Sequence, residues 1–228
     1  MGNCAWHKSL TPQEPTEFLR SAHVPTTSKL ASLPFSHSWL DPKINAGHYA
    51  HLVIRPVLLH YLREDHWRRS ISTVLVTREQ YRRHARDLAA YWDRSLARSF
   101  NEPTNRLRPT ADTKAPGTLV AEIAITDIVF SHPDTYALSW TVLGGVLVEG
   151  AMLAPSVAFE AIIRDAKTGK VVATCADHRG TKLKLFDINR LTISSPNHEI
   201  CDEWSQQLMQ ALNRRMFPVV RRDWIGVF

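Results

Sequence analysis

Apolar and polar residues alternate most clearly between residues 156 and 182, in the segment SVAFEAIIRDAKTGKVVATCADHRGTK. The alternation runs on both sides of DAKTGK, where Gly169 can adopt the positive φ that a short loop between two strands needs. Each half has the two-residue period of a β-strand. The segment therefore predicts a β-hairpin.

Apolar spacings of three and four residues, which are typical of amphipathic helices, occur in two other segments. In the first, Thr77 and Gln80 form a capping-box pattern, and an apolar stripe continues through residues 81–100. In the second, Ser195 is placed to cap a helix whose apolar stripe occupies residues 200–212. The spacings predict one helix over residues 77–100 and another near the end of the chain.

Further strands are predicted over residues 49–62 and 118–130, with Pro56 marking an edge position or a bulge in the first. The order of strand, helix, strands, hairpin and helix is typical of an α+β fold, in which a mostly antiparallel sheet has two helices packed on one face. Trp92 and Trp204 lie on the apolar stripes of the two helices. We expect both to face the sheet and to anchor the core.

The composition divides the chain into three parts. Residues 1–48 are rich in Pro, Ser, Thr and His and predict an extended N-terminal arm, whose second half has enough large apolar residues to pack on the domain. Residues 49–217 contain the strand and helix patterns and predict a single α+β domain. Residues 218–228 predict a C-terminal tail.

Residues 136–153, YALSWTVLGGVLVEGAML, form an apolar segment with three glycines and no lysine or arginine. Glu149 and the glycines interrupt it too often for a membrane-spanning helix. The segment is consistent with a cover or a further strand of the domain, and also with a contact surface for another subunit. The candidate interface residues are Tyr136, Trp140, Leu143, Leu147 and Met152.

Lys and Arg total 28 against 22 for Asp and Glu, which gives a net charge of +6. In the first predicted helix, Arg78, Arg82, Arg83 and Arg86 are candidates for binding an anionic ligand or nucleic acid. Acidic residues alternate with the arginines at helical spacings, a pattern that favours local ion pairs on a solvated face. Hydrophobic residues make up 44% of the chain, which is ample for a packed core.

Three cysteines are present, Cys4, Cys175 and Cys201, and none lies in a Cys-x-x-Cys pair. This spacing does not support a metal or redox motif. Cys4 stands where a lipidated cysteine would stand, and it is the candidate lipidation site. In an oxidising compartment Cys175 and Cys201 could form a disulfide, and the alternative is two separate buried thiols.

The best polar cluster in the sequence is Asp177, His178 and Arg179, at the end of the hairpin's second strand. Adjacent residues on a strand point to opposite faces, so Asp177 is not placed to orient His178 as a general base, and we expect a salt link to a neighbouring strand instead. His48 and His51 have no third ligand at a suitable spacing. Without a nucleophile elbow or a phosphate-binding glycine loop, we expect no catalytic residue, metal site or cofactor.

Four segments occur in the chain in a particular order: LDPKINAGHYAHLVIRPV, GTLVAEIAITDIVFSHP, SVAFEAIIRDAKTGKVVATCADHRGTK and CDEWSQQLMQALNRR. Their order and spacing, over residues 17–215, resemble a family of bacterial lipoproteins known as domain of unknown function 3313. The resemblance implies a secreted, lipid-anchored protein of Gram-negative-type bacteria that faces the periplasm, with no assigned enzyme activity.

The function expected from the resemblance is that of a non-catalytic, periplasmic, envelope-associated protein that acts as a binding or assembly component. It would lie on the periplasmic side of the envelope, with a lipid anchor in the outer membrane. Its expected partner is an envelope protein or a second copy of the chain, and nucleic acid is disfavoured. The alternative is a module that binds an anionic ligand or nucleic acid through helix 77–100.

Overall fold

The computed structural model describes residues 7–10, 13–24, 33–63, 77–129, 155–181 and 195–213. The strands in these ranges are β1 (His7–Ser9), β2 (His37–Leu40), β3 (His51–Ile54), β4 (Arg108–Pro109), β5 (Thr118–Val129), β6 (Ser156–Asp165) and β7 (Val171–Thr181). The α-helices are α1 (Glu17–Arg20), α2 (Arg78–Phe100) and α3 (Ser195–Asn213), and a short 3-10 helix covers Ala46–His48. The described strands form one sheet in the order β1-β7-β6-β5-β3-β4, and β2 also pairs with β7.

The predicted β-hairpin is confirmed as β6 and β7, which pair antiparallel. Gly169 has φ +70° in the loop, and the Asp165 carboxylate accepts hydrogen bonds from the backbone N–H and the hydroxyl of Thr168 at 2.7 and 2.8 Å. β5 pairs antiparallel with the other edge of β6. These three long strands make the centre of the sheet.

The sheet is mixed, because β3 runs parallel to β5 and β4 runs parallel to β3. The other pairs between the described strands are antiparallel, as expected for most of the sheet. A parallel pair needs a long crossover connection, and α2 lies in the connection between β3 and β5. The α+β class is confirmed, and the parallel pairs are a feature that the strand patterns did not predict.

The strand predicted over residues 49–62 is regular in only part of that range. β3 ends at Ile54, and Pro56, which has no backbone N–H to donate, follows two residues later. Beyond the proline, Leu58 makes an isolated bridge to Ala124, and its backbone N–H donates to the Ile123 carbonyl at 2.8 Å. The proline therefore interrupts the strand without separating the chain from β5.

Helices α2 and α3 pack on one face of the sheet, as predicted. The Thr77 hydroxyl accepts a hydrogen bond from the Gln80 backbone N–H at 3.2 Å, and the Gln80 side chain accepts one from the Thr77 N–H at 2.8 Å, which confirms the capping box. Trp92 and Trp204 are 0% exposed and lie 5.3 and 4.6 Å from the Phe159 ring, between ring centroids. Both tryptophans anchor the core, as expected.

The described parts of residues 1–48 do not form an extended arm, which corrects the prediction for this region. β1 and β2 pair with β7, and α1 packs on the face of the sheet opposite α2 and α3, where Phe18 and Leu19 share a buried cluster with Ile162. Phe35 is buried against Phe159, so the expected packing of the second half is confirmed. These strands have three and four residues, which is too short for a clear alternation pattern.

Candidate functional site

Asp177 and Arg179 form a buried ion pair on β7. Residues two apart on a strand share a face, so both side chains point toward α3, while His178 points to the opposite face. Arg179 Nε lies 2.7 Å from Asp177 Oδ2, and the two side chains are 7% and 1% exposed. A salt link is present as expected, but it lies within β7 and extends to α3 rather than to a neighbouring strand.

The Arg179 guanidinium connects β7 to the last helix. Its Nη1 lies 2.9 Å from Glu203 Oε1, and its Nη2 donates to Gln207 Oε1 at 2.7 Å. Nη2 also donates to the Pro34 carbonyl at 3.0 Å, and the guanidinium carbon lies 5.6 Å from the centre of the Trp204 ring. One buried cation therefore contacts α3 and the segment that precedes β2.

The Asp177 carboxylate is satisfied by hydrogen bonds from the same parts of the chain. Oδ2 accepts from Trp204 Nε1 at 3.0 Å, and Oδ1 accepts from the backbone N–H of Ser36 at 3.2 Å and from the Ser36 hydroxyl. The carboxylate is therefore fully hydrogen-bonded and paired with a cation, as a buried polar group requires, and solvent does not reach it. We name the side chains of Ser36, Asp177, Arg179, Glu203, Trp204 and Gln207 the Arg179 network.

Glu160 makes a second buried connection to the N-terminal region, on the opposite face of the sheet. Its carboxylate accepts hydrogen bonds from the Thr16 backbone N–H at 2.6 Å, the Thr16 hydroxyl at 2.5 Å and the Leu19 N–H at 3.2 Å. The residue is 4% exposed. This contact was not predicted from the sequence, although Thr16 before the acidic first turn of α1 is a recognisable capping signal.

A small cavity lies beside Glu160, between the N-terminal region and the sheet. Ala158 and Ala176 leave space on β6 and β7, and the volume open to a water molecule is about 20 Å³. This volume holds about one water molecule, whereas small-molecule sites are usually about 300–1,000 Å³. Its polar lining includes Gln13, His37, Thr126, Glu160 and His178.

The structure places the two histidines, which lie three residues apart in the sequence, in different elements. His48 is exposed at the end of the 3-10 helix, and His51 begins β3. Among the described residues, no three His, Cys, Asp or Glu side chains come together in a group that could hold a metal ion. Within the described residues, His48 and His51 therefore have no third ligand with which to bind a metal ion.

Arg78, Arg82, Arg83 and Arg86, which we name the arginine face, are all exposed on the N-terminal half of α2. Arg86 Nη2 lies 3.0 Å from Glu79 Oε1, which confirms one of the predicted local ion pairs. Asp93 instead accepts a hydrogen bond from the Val57 N–H at 2.9 Å, and burial raises its pKa. The arginine face is therefore a solvent-facing surface in which Arg86 is paired within the helix.

A polar contact that the sequence analysis did not predict joins α2 to α3. The rings of Tyr91 and His198 stack with centroids 3.8 Å apart, and the Tyr91 hydroxyl donates to Asp202 at 2.6 Å. The Ser95 hydroxyl also donates to Asp202. Burial lowers the pKa of His198, and burial followed by the hydrogen bond to Asp202 raises the pKa of Tyr91. These shifts favour the neutral forms, so the contact is a hydrogen-bonded helix interface.

The model of a protein family described as "Protein of unknown function (DUF3313)" matches residues 16–208 of the chain. The chain belongs to the DUF3313 family. The family resemblance noted in the sequence is confirmed by this match. No curated protein matches the chain.

Two groups of solved structures are similar to this DUF3313 protein. The PelC dodecamer from Paraburkholderia phytofirmans and a single-residue variant of it each have 11% sequence identity, a TM-score of 0.36 and coverage of 75% of this chain and 94% of theirs. A homolog of neuraminyllactose-binding hemagglutinin from Helicobacter pylori has 8% identity, a TM-score of 0.33 and coverage of 75% and 85%.

Two of the predicted sites in this DUF3313 protein lie outside the described residues. These are the lipidation candidate Cys4 and the candidate interface in residues 136–153. None of the described helices has the length and apolar character needed to cross a membrane. The roles of Cys4 and of the 136–153 segment therefore stay predictions.

Cys175 and Cys201 are separate buried thiols, so the candidate disulfide is not formed in this structure. Cys175 lies on β7 and Cys201 lies in α3, and both belong to the core between the sheet and the helices. Burial raises the pKa of each thiol because the thiolate would lose its hydration. Both cysteines fill space in the core as small apolar side chains.

We expect both core thiols to be unreactive in the folded protein and fully reactive after unfolding without reductant, because reaction requires an accessible thiolate. The measurement is a titration with a chromophoric thiol reagent in a Cys4→Ser variant, before and after addition of denaturant. Two reactive thiols per unfolded chain would agree with the structure. No reactive thiol in the unfolded, unreduced chain would show that Cys175 and Cys201 are bonded.

Proposed function

We propose that this DUF3313 protein is a non-catalytic binding or assembly component of the bacterial envelope, acting on its periplasmic side. The observation that carries the proposal is the Arg179 network. Asp177 and Arg179 are the polar cluster in the sequence that most resembles a reactive site. In the structure they hold together three distant parts of the fold, which are β7, α3 and the segment that precedes β2. We therefore infer that the protein acts by presenting the surface of a rigid domain to a binding partner.

Other reactive side chains support the same conclusion. The Glu160 carboxylate is occupied by the first turn of α1, and Asp202 is occupied by Tyr91 and Ser95. Each of these carboxylates accepts hydrogen bonds from its own chain, as expected of groups that position elements rather than act on a ligand. A domain stiffened in this way is suited to present a fixed binding surface.

The partner that we propose is an envelope protein or a second copy of the chain, with membrane attachment through a lipid on Cys4. The proposed contact surface is the 136–153 segment, which has Tyr136, Trp140 and Leu147 among its apolar residues and no lysine or arginine. Apolar surface of this extent is normally covered by another molecule or by the protein's own core. A segment covered by another molecule and a segment buried in the protein's own core should respond differently when its apolar residues are replaced with charged ones.

Replacing Trp140 and Leu147 with aspartate is expected to abolish association while the fold is kept. The measurements are mass by light scattering, retention by an immobilised envelope extract, and the thermal midpoint. Leu58→Asp is the matched control, because Leu58 is an exposed large apolar residue outside the segment. This control should leave association unchanged.

Two outcomes would contradict the proposal. Unfolding of the double aspartate variant would show that the segment belongs to the core. A wild-type protein that stays monomeric and binds neither membrane nor envelope extract would remove the case for an assembly component.

A second candidate function is the binding of an anionic ligand through the arginine face. The exposure of all four arginines favours it. Nucleic acid is the less favoured ligand of this class, because the aromatic residues Tyr81 and Trp92 of the same helix are buried in the core and cannot stack on bases.

A further inference from the structure

The small cavity beside Glu160 lies between the N-terminal region and the face of the sheet opposite α2 and α3. Glu160 on β6 is the register partner of Ala176 on β7, and Ala176 is in turn the partner of His37 on β2. Register partners project to the same face of a sheet, so these three side chains form a row across three strands. Ala158 lies opposite His178 in the next row. The two alanines are too small to fill the space between their larger neighbours.

Two side chains in the lining of this cavity have a buried polar atom without a hydrogen-bond partner in the described part of the chain. Gln13 Nε2 donates to Asp127 Oδ2 at 2.6 Å, but Gln13 Oε1 accepts no hydrogen bond from the described residues. His37 Nδ1 likewise has no partner among them. Buried polar groups are normally hydrogen-bonded to protein or to ordered water, because an unpaired group loses its hydration without replacement. Both atoms therefore require a partner.

The size and chemistry of the cavity fit one water molecule. Its volume of about 20 Å³ exceeds the roughly 10–15 Å³ that a water molecule needs. Gln13 Oε1 can only accept a hydrogen bond, which water can donate, and water can satisfy an imidazole nitrogen in either tautomer. Thr126 adds a hydroxyl side chain to the lining. The site thus offers about the three polar partners that a buried water molecule usually has.

A metal cation fits the cavity less well than water does. Hard cations prefer carboxylate oxygens, and Glu160 is the carboxylate beside the cavity. Both of its oxygens already accept hydrogen bonds, from the backbone N–H and hydroxyl of Thr16 and from the Leu19 N–H. Among the described residues, no group of three His, Cys, Asp or Glu side chains is placed to hold a metal ion. The carboxylate is therefore committed to α1.

We propose that this cavity is a binding site for one structural water molecule, which donates a hydrogen bond to Gln13 Oε1 and forms another with His37 Nδ1. The water joins the segment that precedes α1 to the first residue of β2. It thereby connects two parts of the N-terminal region to each other on the surface of the sheet. This role goes beyond the proposed function, because it concerns how the N-terminal region is fixed and not which partner the protein binds.

The test is a pair of substitutions with similar shape and different polarity. Ala158→Thr places a hydroxyl in the cavity that can replace the water, whereas Ala158→Val expels the water and leaves both polar atoms unpaired. Both side chains are β-branched with two heavy atoms on Cβ, so the comparison isolates the hydrogen bond from the added volume. We expect the urea midpoint of Ala158→Thr to lie about 0.3–1 M above that of Ala158→Val. Equal midpoints, or a higher midpoint for the valine variant, would overturn the inference.

Ala161 provides the matched control on the same strand. It is 0% exposed and lies on the face toward α2 and α3, in a cleft whose described lining is entirely apolar and includes Leu96 and Leu208. A hydroxyl in this cleft has no water to replace, so Ala161→Val should have a higher urea midpoint than Ala161→Thr. If threonine is favoured at both positions, the preference belongs to the strand and the inference fails.

A crystal structure of the wild-type protein tests the site without depending on the stability of any variant. We expect electron density for one water molecule within about 2.7–3.2 Å of both Gln13 Oε1 and His37 Nδ1. A cavity without density would show that it is dry and would contradict the proposal. Contacts of about 2.3–2.6 Å from the density peak to oxygen ligands would identify a cation such as Ca²⁺ and would contradict it as well.

Discussion

Replacing Arg179 with methionine is expected to lower the free energy of unfolding by about 3–5 kcal/mol, because removing one partner leaves the other charge of a buried pair uncompensated. Asp177 would remain 1% exposed with its hydrogen bonds from Trp204 and Ser36 but without the cation. A typical domain is stable by only about 5–15 kcal/mol. The measurement is urea denaturation followed by tryptophan fluorescence and circular dichroism.

The control for this prediction is the double variant Asp177→Asn, Arg179→Met. It removes the buried charge together with its partner, and the asparagine can still accept the hydrogen bond from Trp204. Part of the lost stability should return, and a double-mutant cycle measures how much the pair is coupled. A loss of less than about 1 kcal/mol in Arg179→Met alone would show that the pair behaves like an exposed one.

Replacing Trp204 with alanine is expected to lower the free energy of unfolding by about 3–5 kcal/mol, and to do so by more than Trp92→Ala. Both tryptophans are 0% exposed and both lie against Phe159, so the cavity cost is similar. Trp204 also donates a 3.0 Å hydrogen bond to Asp177. The Trp92 indole N–H has no acceptor among the described residues. The measurement is again urea denaturation, with circular dichroism as the only signal that monitors unfolding.

Phenylalanine variants isolate the hydrogen bond from the cavity. Trp204→Phe and Trp92→Phe remove similar volume, but only the first removes a donor from a buried carboxylate, which costs about 1–3 kcal/mol. We therefore expect Trp204→Phe to be the less stable variant. Equal stability of the two would show that the indole contributes to the Arg179 network by packing alone.

The sequence by itself determined the elements whose signals are local. The hairpin of β6 and β7 follows from a two-residue alternation around Gly169, and α2 follows from a capping box and an apolar stripe. The apolar stripes in the sequence of α2 and α3 also predicted that Trp92 and Trp204 lie in the core. Each of these features depends on residues close together in the sequence or on hydrophobic periodicity. A single segment is therefore enough to predict each of them.

Only the tertiary structure decided how the N-terminal region is used. β1 and β2 are too short to show a period, and their pairing with β7 depends on a partner strand far along the chain. The same holds for the parallel pairing of β3 with β5, which requires α2 to cross between them. Strand partners and registers are set by the packing of the whole sheet, which no single segment encodes.

The candidate site likewise contains residues that the sequence predicted and residues that only the tertiary structure brought together. The sequence identified Asp177 and Arg179 as the best polar cluster and excluded His178 as the partner of Asp177, because alternation along a strand is a local rule. It did not identify Ser36, Glu203 or Gln207, which join the cluster from an N-terminal segment and from α3. Likewise, the contact of Glu160 with Thr16 spans 144 residues. Whether a charged residue is a reactive group or an internal anchor depends on which donors folding brings to it, and the tertiary structure alone supplies that information.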